Sequence, residues 1–134
     1  MRTPECWGRT HWLYFHAWAH RYPMFAKDTD RVQALQMWDT TAASLPCEAC
    51  VGHFSKLVHQ PGDSDDTPRP LAFAATGRPY MERWVIAAHN EVNQRLGKPM
   101  WSEQDALQSI QKITDTQFGE LTWLYVLENA LVDE

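Results

Sequence analysis

The apolar positions along this chain recur at helical spacing. Trp12, Phe15, His16 and Ala19 fall at i, i+3, i+4 and i+7, one stripe of an amphipathic helix over residues 5–22. Tyr22-Pro23 ends it, because a proline ring disfavours helical backbone in the residue before it. Asp28-Thr29-Asp30 offers capping oxygens for a second helix to about Ser44, with Val32, Leu35, Trp38 and Ala42 facing inward. Pro46 suits the first turn of a third helix, which runs through Cys47 and Cys50 to about His59. Residues 60–70, rich in Pro, Asp and Gly, read as a loop. A short helical piece over 71–75 is broken by Gly77-Arg78-Pro79. A fourth long helix spans about Tyr80 to Leu96 and stops at Gly97 and Pro99. Ser102 with Asp105 caps a further helix to about Ile113, and Leu121, Leu124, Tyr125 and Leu127 mark a last amphipathic segment over 117–131. Nothing alternates with period two for long enough to make a strand, so the expected fold class is all-α, a helical bundle.

Composition adds bounds. With 134 residues the chain is expected to form one domain, core about 5–101 and a helical extension over 102–134, large enough to bury a core without metals. Seven tryptophans are many for this length. They either fill a generous aromatic core or hold a flat cofactor between indole rings. A net charge of −5, with no Lys/Arg cluster, argues against a nucleic-acid partner. No apolar run suggests a signal peptide or a membrane span, so the protein is expected to act inside the cell, where it is made. Three cysteines are too few for a disulfide scaffold.

Two of those cysteines form Pro46-Cys47-Glu48-Ala49-Cys50. Structural zinc needs four ligands, and His53 and His59 on the same short helix would surround a tetrahedral ion poorly. Covalent haem wants histidine after the second cysteine, where Val51 stands. A thioredoxin-like protein would place the motif after a strand, and none is expected. A redox dithiol on a helical scaffold remains. The unpaired amides at a helix start favour a thiolate at Cys47, with Glu48 opposing weakly.

Downstream, His89, Asn93 and Leu96 share one helical face, with Asn90 beside them. Imidazole and amide groups next to buried aromatics need partners, which a polar planar ligand would supply. Three blocks then carry a resemblance: Gly8-Arg9-Thr10-His11-Trp12 through His16, Pro46-Cys47-Glu48-Ala49-Cys50 with His53-Phe54, and His89-Asn90-Glu91-Val92-Asn93 through Leu96-Gly97-Lys98-Pro99. In this order they resemble the Erv/ALR family of FAD-linked sulfhydryl oxidases over roughly residues 7–101.

The resemblance implies a four-helix bundle holding FAD non-covalently, further short C-terminal helices, and a homodimer. It implies that Cys50 lies against the flavin ring while Cys47 is reached by a substrate thiolate, with oxygen as the final acceptor and hydrogen peroxide as product. Gly8, Arg9, Trp12, His16, His53, His89, Asn90, Val92, Asn93 and Lys98 match cofactor-side positions, and Trp101 stands near an Arg-Trp contact of the family that is otherwise not evident. The implied partner is a protein dithiol or a thioredoxin-like redox protein. The alternative is a catalytically weak homologue acting as a dimeric thiol-redox binding module.

The chain departs from the family in two ways. A second disulfide, tying the fourth long helix to the segment beyond Gly-Lys-Pro, would fall at about Ile86 and Glu103, so both halves are missing together. Such a constraint is worth roughly 2–4 kcal/mol. There is also no second Cys-x-x-Cys shuttle; Cys6 is the one further thiol, with relay, subunit bridging or no role open to it. Both losses resemble the minimal forms encoded by large DNA viruses, which places the expected site of action in host cytoplasm or virion.

Overall fold

A computed structural model describes residues 4–59 and 70–114, with side chains described over 11–59 and 70–112. Its helices are α1 Pro4–His20, α2 Asp28–Ala43, α3 Glu48–Val58, α4 Leu71–Ala74, α5 Arg78–Arg95 and α6 Glu103–Thr114. Among the described residues there is no strand, and the all-α class holds. Most of the expected 60–70 loop, the amphipathic segment over 117–131 and the side chain of Cys6 lie outside the described residues.

The core is aromatic and centred on Trp38, which is fully buried. Its ring meets Phe15 at 5.0 Å, Trp18 at 5.6 Å, Trp84 at 5.0 Å and Phe54 at 6.0 Å, so α1, α2, α3 and α5 converge on one indole. The buried stripe of α2 is Ala34, Trp38 and Ala42. Val32 and Leu35, expected inward, are 53% and 38% exposed. At 3.6 residues per turn, Val32 sits about 120° around the helix from Trp38. Packing selected two alanines, which let the backbone approach closely around one large ring, over the more hydrophobic positions.

The α1–α2 connection is sutured to the turn before α5. Tyr22 Oη donates to the Ala75 carbonyl at 2.7 Å, and Arg78 donates through its amide to Pro23 O at 2.9 Å and through Nε to Tyr22 O at 2.6 Å. The approach is so close that a Cβ at Gly77 would lie 2.6 Å from the Met24 carbonyl oxygen. These bonds hold α1 against α5, the pair that later frames the site.

Helix α5 ends in a Schellman turn. Gly97 takes φ 73°, a conformation favouring glycine, while Lys98 N–H donates to Asn93 O at 2.8 Å and Gly97 N–H to Gln94 O at 3.2 Å. The chain then doubles back along α5. Ser102 Oγ accepts from Asp105 N–H at 3.1 Å and starts α6, whose Ala106 and Ile110 bury against Ile86.

Candidate functional site

Helix α3 begins at Glu48, two residues later than expected, because Cys47 serves as its N-cap. Pro46 therefore lies outside the helix rather than in its first turn. An N-cap needs extended backbone and an acceptor; Cys47 has φ −129°, ψ 124°, and its Sγ accepts from Cys50 N–H at 3.4 Å. Both cysteines are free thiols, Cys47 half-buried and Cys50 buried.

Their environments diverge. The hydrogen bond from the Cys50 thiol, then that from the Cys50 backbone amide, lowers the pKa of Cys47. Burial, then the bond given to Cys47, pushes Cys50 up to about 11. The guanidinium of Arg95, in the last turn of α5, favours the thiolate at both positions. Sequence reasoning passed over Arg95; the available signal was a cation closing the helix that carries His89 and Asn93.

From Cys50 the buried face of α3 continues to Phe54, whose ring is 6.0 Å from Trp12 on α1. Trp12 in turn lies parallel to His89 on α5, 4.2 Å between centroids and 3° between planes. The neighbouring His16 places Nε2 2.8 Å from His89 Nδ1. Burial, then the neighbouring His89, brings His16 down to about 3; burial, then the charge of Lys98, brings His89 down to about 4. Both imidazoles are neutral at pH 7, one donating and the other accepting. Asn93, one turn beyond His89 on the same helix, is buried, 8% exposed.

Of the residues expected on the cofactor side, the structure thus brings Trp12, His16 and His89 together, with Lys98 close enough for its charge to act on His89. Val92 is half-buried and packs against the main core. Asn90 spends its amide elsewhere: Nδ2 donates to Trp101 O at 2.8 Å, and Oδ1 accepts from Trp101 N–H at 2.9 Å. This sets the Trp101 ring 5.9 Å from His89. His53 is exposed on α3. Gly8 and Arg9 lie in α1, before the residues whose side chains are described.

The cluster suits a planar heteroaromatic group. It offers a flat indole–imidazole wall, a buried carboxamide, and imidazoles held neutral in an apolar surround. It suits a metal poorly. Among the described residues no three His, Cys, Asp or Glu side chains converge, and His59 pairs with Asp39 at 3.0 Å at the far end of α3.

Comparison with known proteins places the chain in a family. The Erv1 / Alr family description matches residues 9–119. The chain belongs to the Erv1/Alr family. A protein of Acanthamoeba polyphaga mimivirus, named a probable FAD-linked sulfhydryl oxidase, is 25% identical over 125 residues, covering 92% of this chain and 82% of its own. The mitochondrial FAD-linked sulfhydryl oxidase ERV1 of Saccharomyces cerevisiae is 29% identical over 92 residues, covering 69% of this chain and 43% of its own. The crystal structure of the yeast Erv1 core superimposes with a TM-score of 0.69 at 24% identity, covering 83% of this chain and 86% of that one. The fold is therefore the Erv1/Alr helical fold. Within it, Ile86 and Glu103 fill the places expected of a second disulfide with other contacts. Ile86 is buried against Ala106 and Ile110, and Glu103 Oε1 accepts from Arg83 Nε at 2.9 Å.

Proposed function

We propose that this protein is an FAD-linked sulfhydryl oxidase that forms disulfides in protein thiols. The observation that carries the reading is the split pair of thiols on α3. Cys47 is the more accessible, with a lowered pKa, and Cys50 is buried on the face that leads through Phe54 to the Trp12–His89 stack.

We assign Cys47 to the substrate and Cys50 to the cofactor. In the oxidised enzyme a substrate thiolate attacks Cys47 Sγ, the Cys47–Cys50 bond breaks, and Cys50 leaves as the thiolate. A second substrate thiolate then attacks the mixed disulfide and releases Cys47. Two substrate thiols become one disulfide, and two electrons and two protons come to rest on the pair. The thiolate form of Cys47, favoured by its bond from Cys50, makes it a good leaving group in that last step. FAD, when bound, would supply the two-electron acceptor for the dithiol and the chemistry that reduces oxygen to hydrogen peroxide. We assign Trp12, His16, His89 and Asn93 to holding it, with Lys98 alongside, while the surrounding aromatic core keeps water from the cofactor-side thiol.

The reading extends to the partner and the place. A protein dithiol or a thioredoxin-like protein delivers electrons directly to Cys47. The protein works as a homodimer, the exposed Val32 and Leu35 of α2 offering apolar surface for a second copy. The likeness to FAD-linked sulfhydryl oxidases of large DNA viruses supports action in host cytoplasm or virion. Among the described residues no helix is long and apolar enough to cross a membrane.

Purified protein should be yellow and consume oxygen with dithiothreitol. Cys47→Ser and Cys50→Ser should each abolish consumption and keep the colour. A colourless preparation, or full activity in either variant, refutes the reading.

A further inference from the structure

The segment after α5 is a strap folded back on that helix and fastened at three points. At its start Lys98 N–H bonds to Asn93 O at 2.8 Å, in its middle the Trp101 backbone makes both bonds to the Asn90 carboxamide, and at its end Glu103 pairs with Arg83. The middle fastening is the one that reaches the site. A carboxamide that both donates to and accepts from one residue's backbone fixes position and orientation together, as a strand pair would. The edge on which its donor and acceptor lie side by side is thereby taken up by the Trp101 backbone. What it does control is Trp101, which is 46% exposed and holds its ring 5.9 Å from His89. His89 thus meets three rings, stacked on Trp12 at 4.2 Å and tilted against His16 at 5.1 Å and Trp101 at 5.9 Å.

We propose that Asn90 is a positioning residue that acts through the strap: it holds Trp101 as the outer wall of the cofactor pocket and so sets how long the flavin stays bound. The inference rests on the functional reading above. It also changes the part expected of Asn90, from a cofactor-side contact to the fastening of a neighbouring indole. In this chain, where Ile86 and Glu103 stand at the places expected of a covalent tie, the Asn90 clamp joins the Lys98–Asn93 bond, the Arg83–Glu103 pair and the packing of α6 on Ile86 in keeping the strap on α5.

The test is flavin release from the full-length protein, followed as the rise in flavin fluorescence on dilution, for wild type, Asn90→Ala, Trp101→Ala and the double variant. Losing two hydrogen bonds, Asn90→Ala should release flavin about tenfold faster. Residues acting as one unit are not additive, so the double variant should release no faster than Trp101→Ala alone. If Asn90→Ala does not fold, Asn90→Asp serves, since it keeps the acceptor for Trp101 N–H but sets a carboxylate oxygen against the Trp101 carbonyl, and it should likewise release flavin faster than wild type. Release at the wild-type rate, or additive effects in the double variant, overturns the proposal and leaves Asn90 with a role in stability or in direct contact. A wild-type protein that binds no flavin overturns the functional reading, and this proposal with it.

Discussion

His16 on α1 and His89 on α5 meet at 2.8 Å, Nε2 to Nδ1, inside an aromatic cluster that leaves little room to solvate a charge. The bond needs at least one neutral imidazole, and burial holds both neutral until about 3 and about 4. In the unfolded chain both protonate near the ordinary value of 6.5. The folded state therefore has its full stability above pH 6.5 and loses it as pH falls toward the folded values, the unfolded chain binding protons first.

Acid sensitivity is the first prediction. Unfolding free energy should fall below pH 6.5 by up to about 1.4 kcal/mol per pH unit for each histidine. Denaturant titrations from pH 7.5 to 4.5 measure it. His16→Gln should flatten the slope by about one proton's worth, and a slope unchanged by that substitution would mean that other groups control acid unfolding.

The thiol pair makes a second prediction. Cys47 has the lowered pKa and the greater exposure, so iodoacetamide should alkylate it before Cys50 in the reduced protein near pH 7. Arg95→Gln removes a charge that favours both thiolates and should slow Cys47 alkylation at pH 7, with little change above pH 10. Peptide mass analysis of the partly labelled protein reads both effects. Equal labelling of the two thiols contradicts the assignment of Cys47 to the substrate.

Much of the helical frame is visible in periodicity, caps and breakers: Gly97, Ser102 and Tyr22-Pro23 mark their boundaries by local chemistry alone. Three features were hidden because tertiary contacts decide them. Cys47 became an N-cap because its thiol, rather than a hydroxyl, accepts the first-turn amide. The alanines of α2 displaced Val32 and Leu35 from the core because the Trp38 ring needs close backbones beside it. Asn90 sits one residue from His89, and no spacing rule tells that its amide turns to the backbone eleven residues on. The juxtaposition of Trp12, His16 and His89, by contrast, was suggested by family resemblance; periodicity alone could assign each a buried face and no more.

The exposed side of α2 yields a third prediction. Val32 and Leu35 are apolar and in contact with water in a single protomer, and the proposed dimer would cover them. Val32→Asp with Leu35→Asp should convert a dimer to a monomer in sedimentation analysis without lowering helix content. If the wild type is already a monomer at micromolar concentration, the dimer assignment fails.

The stack of Trp12 on His89 separates packing from cofactor binding. Trp12 is 8% exposed and touches Phe15, Phe54 and His89, so Trp12→Ala opens a large cavity and should cost about 3–5 kcal/mol. Trp12→Phe keeps most of the apolar contact but shortens the flat face presented to His89. It should cost less stability than Trp12→Ala and still weaken flavin binding, because a smaller ring overlaps a planar partner less. Thermal unfolding of apo and flavin-loaded protein distinguishes the two terms: the apo melting point reports packing, and the rise on adding FAD reports binding. A Trp12→Phe protein whose melting point rises with FAD as much as that of wild type would assign Trp12 to the core alone and move the flavin wall to His89 and Trp101.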